Sequence, residues 1–208
     1  RAIPHRELVE RAQRVAEALQ GVASSLTIHN AGVGGNTTEQ ALARIDRDVL
    51  AHRPRFVVTQ FGINDSAIHV WKNPPANEPR ISLNAFEENL RKIISRTRAS
   101  GASPLLMTTN PLRWTPKLKE LYGKPPYNVS RSDGFEAPTL VRYNEVIRKL
   151  AAELHVPLVD IHKEFQQRDV DKLLLDGMHP NDAGHEVIAQ LLVPVVREVA
   201  QSGTASKK

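Results

Sequence analysis

The chain has 208 residues and is 40% hydrophobic, which is enough for one globular domain with its own core. It has no cysteine, which excludes disulfides and thiolate metal sites, and no apolar run approaches the roughly 20 residues of a membrane span. The net charge of +5 suggests a polyanion partner, but acids are interleaved with the basic residues, which argues against nucleic-acid binding.

The first predicted elements alternate between helix and strand. Apolar residues recur at helical spacing over 4–20. The stretch SLTIHN, residues 25–30, reads as a short strand that runs into glycine-rich sequence. Thr37 or Thr38 can cap the next helix, and PRFVVTQFG, residues 54–62, indicates a buried strand.

The remaining predicted elements are a helix opened by Ser82, a strand over 102–110, a helix over about 139–154, a strand over 156–162, a short helix near 163–168 and a closing helix beyond Asn181. Residues 112–138 are predicted to be irregular, and residues 201–208 form a polar tail. The alternation predicts one α/β domain over 1–208, with a mostly parallel sheet covered on both faces. Such a domain usually begins with a strand, whereas this chain begins with a crossover helix. We therefore expect a first strand to be missing from the 208 residues.

Three polar motifs follow predicted strands, where α/β sheets bind ligands. The first is NAGVGGNTT, residues 30–38, whose glycines can expose backbone N–H groups to a phosphate or an oxyanion. A dinucleotide fingerprint would need a glycine where Thr37 stands, and the Gly-Lys-Ser/Thr of a Walker loop is absent. A tight turn that binds no ligand is the alternative.

The second motif, FGIND, contains Gly62, Asn64 and Asp65. The Asn64 amide can donate to a developing oxyanion, and glycine permits close approach to the backbone. Asp65 can instead hold the loop through its own backbone hydrogen bonds. Taken alone, this motif is more typical of a turn after a strand.

The third motif is DGMHP, in which Asp176 precedes His179 by three residues across a glycine. A histidine that acts as a general base needs a partner that fixes its tautomer, and Asp176 can fold back onto the ring. The alternative is a surface acid followed by a residue near the cap of the last helix. The other seven histidines show no metal-ligand spacing, so no metal site is predicted.

Together and in this order, GVGGNTT, GIND and DGMHP resemble the blocks of the SGNH hydrolases, also called the GDSL esterase/lipase family. The resemblance implies a flavodoxin-like three-layer α/β/α sandwich and a serine esterase that needs no cofactor. By position, Gly35 matches the oxyanion glycine, with Gly34 one place away, and Asn64 matches the oxyanion asparagine. Asp176 and His179 match the acid and the base of the triad.

The family's first block, Gly-Asp-Ser, occurs nowhere in the 208 residues. Counting back from the glycine block puts that serine at or just before Arg1. We therefore expect an N-terminally truncated chain that is inactive by itself. Ser24, Ser25 and Ser66 are poor substitutes, because none is predicted to stand at the end of a strand.

The resemblance implies an ester substrate, either an O-acetylated carbohydrate or a short-chain acyl ester. Trp71, Trp114 and Tyr122 are candidate stacking surfaces for a sugar, although they can equally pack the long loop onto the domain. An inactive SGNH-like binding module and a flavodoxin-like nucleotide-binding or phosphate-binding protein are the competing hypotheses. The sequence leaves the oligomeric state and the compartment open, including a secreted or periplasmic location.

Overall fold

A computed structural model describes residues 27–131 and 139–205, so the helix predicted over 4–20 lies outside the described residues. The sheet in the described part has three parallel strands in the order β1-β2-β3. They are β1 (Phe56–Gln60), β2 (Ser103–Met107) and β3 (Leu158–Val159). The predicted parallel α/β architecture is confirmed.

Seven α-helices are described. The first, α1 (Thr38–Asp48), precedes β1, and the others connect or follow the strands: α2 (Ile63–Ser66), α3 (Leu83–Ala99), α4 (Pro116–Tyr122), α5 (Leu140–Glu153), α6 (Ile161–Gln166) and α7 (Asp182–Ala205). Ser82 caps α3 as predicted, because its hydroxyl accepts a hydrogen bond from the Ala85 N–H. None of the helices in the described part is long and apolar enough to traverse a bilayer.

The central strand β2 shows how the three layers form. Leu105 and Met107 lie in a core with side chains of α6 and α7, whereas Leu106 lies in a core with side chains of α1, α3 and α5. Successive side chains of a strand point to opposite faces of the sheet. The continuous apolar run of β2 therefore fills both interfaces, and the sheet is sandwiched between two helical layers.

The structure corrects the predicted elements in three places. The strand predicted over 25–30 lies partly outside the described residues, and its described part, 27–30, forms no ladder with any described strand. The strand predicted over 156–162 has only two paired residues, because Asp160 caps α6 instead. The segment 112–138, predicted to be irregular, contains α4, whose start is marked by Thr115 followed by a proline.

Candidate active site

Asp176 and His179 contact each other directly. The Nδ1 atom of His179 lies 2.9 Å from Asp176 Oδ2 and 3.1 Å from Oδ1. The backbone N–H of His179 and that of Met178 also donate to Asp176 Oδ1, at 2.9 and 3.0 Å. Asp176 thus closes a tight turn and binds the imidazole with the same carboxylate.

The electrostatics of Asp176 fix the tautomer of His179. Burial acts to raise the pKa of Asp176, but hydrogen bonds from the backbone and ring of His179, its charge, and the Met178 N–H together hold that pKa below its usual range. An ionised carboxylate only accepts hydrogen bonds, so Nδ1 must carry the proton. The Nε2 lone pair of the neutral ring is then available, and no described group lies within hydrogen-bonding distance of Nε2.

The loop that carries this pair is held at both ends. Asn181 caps α7 through its side-chain oxygen, which accepts from the Gly184 N–H, while its amide group donates to the Lys172 carbonyl. Gly177 has a φ of +85°, and a Cβ at this position would lie 2.4 Å from the Arg113 carbonyl oxygen. The glycine between Asp176 and His179 is therefore required by backbone conformation and by space.

Asn64 lies in α2, directly after β1, and is half-buried. It lines one pocket with Met178, the residue before His179, and with Tyr122. The structure therefore brings Asn64 to the same cleft as the Asp176–His179 loop. Ser66 also lines this cleft, but it is only 3% exposed and its hydroxyl donates to the Ile63 carbonyl, which leaves it a poor nucleophile.

Gly35 lies in an exposed turn before α1, with a φ of +79°. This turn is tied to the Asn64 segment through Asp65, whose Oδ1 accepts from the backbone N–H and the hydroxyl of Thr38, at 2.8 and 2.6 Å. Asp65 is fully buried, and burial raises its pKa against the hydrogen bonds from Thr38. These hydrogen bonds span 27 residues and join the glycine motif to the FGIND motif, so the side chain of Asp65 does more than stabilise its own turn.

The candidate stacking residues fall into different settings. Trp114 donates its indole N–H to the Asn128 carbonyl, and both Trp114 and Tyr122 pack on the buried Tyr127 cluster. Tyr122 also lines the pocket that contains Asn64. Trp71 and Trp114 are not among the described residues that line it. Trp71 is 48% exposed and packs its ring 5.0 Å from that of His69.

One residue near the site was missed by sequence reasoning. The buried Asn110, three residues beyond β2, donates its side-chain amide to the Met178 carbonyl at 2.9 Å. This contact spans 68 residues of sequence, so no local pattern could have indicated it. Among the described residues, no group of three or more His, Asp or Glu side chains is placed to hold a metal ion.

The chain is similar in sequence and in fold to several known proteins. The chain is 36% identical to the uncharacterized lipoprotein YqeF of Bacillus subtilis over 153 residues, which cover 71% of this chain and 60% of that protein. It is 29% identical to an acetylxylan esterase of Geobacillus stearothermophilus over 187 residues, which cover 85% of this chain and 75% of that esterase. The crystal structure of another acetyl xylan esterase superposes with a TM-score of 0.69 at 23% identity, covering 89% of this chain and 90% of that one.

The structural likeness at this identity shows the shared fold, an α/β/α sandwich. The chain spans less than two thirds of the length of the Bacillus lipoprotein. A sequence model of the family described as GDSL-like Lipase/Acylhydrolase matches residues 4–187, nearly the whole chain. The chain therefore belongs to the GDSL-like Lipase/Acylhydrolase family.

Proposed function

We propose that this protein is a carboxylic ester hydrolase that works through a Ser-His-Asp triad and an acyl-enzyme. The observation that carries the proposal is the hydrogen bond from His179 Nδ1 to the Asp176 carboxylate. It holds the imidazole in the tautomer whose Nε2 can accept a proton. The order of the glycine, asparagine and histidine motifs, together with family membership, supports the same chemistry.

In this mechanism a serine hydroxyl attacks the ester carbonyl carbon while His179 Nε2 takes the hydroxyl proton. The imidazolium, stabilised by Asp176, then gives that proton to the departing alcohol as the carbon–oxygen bond breaks. Water, activated by the same nitrogen, hydrolyses the acyl-serine and restores both groups. His179 is the base and acid of this cycle, and Asp176 orients it.

The negative charge that develops on the carbonyl oxygen needs hydrogen-bond donors. We assign this role to the backbone N–H of Gly35 and the side-chain amide of Asn64, with the N–H of the serine as a third donor. The bond between Thr38 and Asp65 supports the assignment, because it couples the Gly35 turn to the segment that bears Asn64. Each such donor contributes on the order of 10²–10³ in turnover.

The serine itself is proposed to come from a strand that pairs with the outer side of β1. Within the described residues, β1 is the last strand on that side of the sheet, and Val58 at its centre is 42% exposed. A parallel strand placed there would end beside Gly62 and Asn64, which follow β1 immediately. No Gly-Asp-Ser occurs in the 208 residues, so we place this strand upstream of Arg1 and expect the 208 residues alone to be inactive.

The substrate we propose is an O-acetyl group on a carbohydrate, with a short-chain acyl ester as the second choice. Support comes from the Geobacillus relative, which is named an acetylxylan esterase. Tyr122 at the pocket and the exposed Trp71 offer ring faces to a sugar. The packing of Trp114 against its own loop makes it the weakest of the three candidates.

The test uses a serine-bearing form, in which expression in the same reading frame begins far enough upstream of Arg1 to include a strand with Gly-Asp-Ser. We expect this form to hydrolyse p-nitrophenyl acetate and to release acetate from acetylated xylo-oligosaccharides. His179→Ala should lower turnover by a factor on the order of 10⁶. His52→Ala, which removes an exposed imidazole from the turn after α1, is the control and should leave turnover unchanged.

Binding of acetylated oligosaccharides without hydrolysis would favour the binding-module hypothesis instead. Equal turnover in the His179→Ala variant would exclude the triad. Hydrolysis of p-nitrophenyl acetate but not of acetylated sugars would retain the esterase and reject the carbohydrate substrate.

A further inference from the structure

Asn110 is buried beneath the loop that carries Asp176 and His179. It is 2% exposed, and its side-chain amide donates to two carbonyl oxygens, those of Pro111 and Met178, both at 2.9 Å. Both N–H groups of the amide are therefore used, and two carbonyl acceptors require the nitrogen to face them. We propose that Asn110 is a positioning residue, which fixes the catalytic loop against the end of β2; this role rests on the proposed ester hydrolysis.

Met178 is the point at which Asn110 acts. The Met178 N–H donates to Asp176 Oδ1, and the carbonyl of the same residue accepts from Asn110. One residue thus links the triad acid to the body of the domain. His179 follows it directly, so a displacement of the Met178 peptide moves the imidazole as well.

A second contact acts in the same place. The Arg113 N–H donates to the Gly177 carbonyl at 2.8 Å, so two consecutive carbonyls of the loop accept from the segment 110–113. The contact between Asp176 and His179 is local, because the two residues stand three apart. Their position relative to Asn64 is not local, and it depends on this segment. The Arg113 contact joins backbone groups, so the Asn110 contact is the one that a side-chain substitution can remove.

Two substitutions separate hydrogen bonding from space filling. Asn110→Leu keeps the branched shape without either donor and without a charge, whereas Asn110→Ala loses the donors and leaves a cavity. If Asn110 only fills space, the leucine variant should behave nearly as the unsubstituted protein does. If its donors hold the loop, both variants should release it, because two buried carbonyls lose their partners.

The first readout is amide hydrogen exchange on the 208-residue chain, which requires no activity. We expect the N–H groups of Met178, His179 and Arg113 to exchange at least about tenfold faster in both variants, because local opening becomes easier. The Leu106 N–H in the sheet should keep its rate. Leu90→Ala, which cuts a different core cluster, is the control: it lowers global stability and should leave the three loop amides unchanged.

The second readout is steady-state kinetics of the serine-bearing form. We expect Asn110→Leu to lower kcat about 10–100-fold with KM changed less than about twofold, because the substrate pocket stays while the base is misplaced. Unchanged loop exchange, or unchanged kcat in an active enzyme, would overturn the role of Asn110. Absence of turnover in the unsubstituted form would instead overturn the ester-hydrolase proposal, and the exchange data would show separately whether Asn110 holds the loop.

Discussion

Asp176 combines a structural duty with a proposed chemical one in a single carboxylate. Its Oδ1 accepts two backbone N–H bonds that shape the turn, and both of its oxygens face the ring of His179. The same contacts hold its pKa below the usual range although burial opposes them. A substitution at this residue should therefore change catalysis and stability together, with different dependences on pH.

Asp176→Asn tests both duties. The amide oxygen can keep the backbone bonds, but the NH₂ group would face Nδ1 and favour the wrong tautomer, so turnover of the serine-bearing form should fall by a factor on the order of 10⁴. The lowered pKa of Asp176 means that its stabilisation is present above the unfolded pKa of about 3.9 and is lost as the pH falls through the folded value. Urea unfolding at pH 7 and pH 3 should show a stability difference that narrows in acid, and a constant difference would contradict this account.

Asn64 and Ser66 are neighbours in α2 that we assign opposite importance. Asn64→Ala removes a proposed oxyanion donor and should lower kcat by a factor on the order of 10²–10³ with little change in KM. Ser66→Ala removes a buried hydroxyl that bonds only its own helix, and turnover should persist. Measured kcat and KM of both variants decide the matter, because loss of activity in Ser66→Ala would make that serine the nucleophile.

At the scale of elements, the sequence predicted those features that depend on neighbouring residues. Apolar periodicity located α3, α5 and α7, and the spacing of Asp176 and His179 foretold their contact. The features it missed depend on distant residues. Asn110 reaches a loop 68 positions away, and Thr27–Asn30, although rich in strand formers, lacks a strand beside it in the described structure.

The hydrogen bonds from Thr38 to Asp65 join the start of α1 to α2. The contribution of Asp65 to the free energy of unfolding depends on pH. Burial raises the pKa of Asp65, and its Oδ2 has no hydrogen-bond partner in the described part of the chain. Because the folded pKa lies above the unfolded one, the contribution of Asp65 is most favourable below about pH 4 and is lost as the pH rises through the folded pKa.

Asp65→Asn should keep the Thr38 hydrogen bonds through its amide oxygen and should remove the pH dependence that Asp65 gives to the free energy of unfolding. We therefore expect the variant to match the parent below about pH 4 and to exceed it in free energy of unfolding at pH 7. Denaturant unfolding over that pH range measures the effect, with Glu78→Gln, a substitution of an exposed acid, as the control. A less stable variant at pH 7 would show that the charge of Asp65 contributes net stability.

Gly177, in the loop that carries Asp176 and His179, can be compared with Gly101, which lies outside that loop. Gly177 and Gly101 have similar positive φ values, of +85° and +83°, but a Cβ at Gly177 would meet the Arg113 carbonyl whereas nothing lies near Gly101. Gly101→Ala should cost about 1–2 kcal/mol for the left-handed backbone alone. Gly177→Ala should cost more and accelerate exchange of the Arg113 N–H. Equal costs in thermal unfolding would show that the loop moves aside freely.

At the scale of the whole molecule, the outer side of β1 and the candidate site would both be served by one additional strand. Within the described residues, β1 is the outermost strand beyond β2, and the motif that bears Asn64 begins directly after it. An outermost strand exposes backbone donors and acceptors that favour pairing with another strand. The strand that we propose to pair with this edge would also supply the nucleophile, so stability and activity should be gained together.

Hydrogen exchange can test this coupling. In the 208-residue chain, the β1 amides that face β2 should exchange slowly and those that face outward should exchange quickly. In the serine-bearing form the outward amides should become protected, and the thermal midpoint should rise by several degrees, because the added strand supplies hydrogen bonds to the outer side of β1. Replacement of the serine by alanine in that form should keep the outward β1 amides protected and abolish turnover. This result would separate the structural role of the strand from its catalytic role. Outward amides that are already protected in dilute 208-residue chain would show that another segment of the chain occupies the edge.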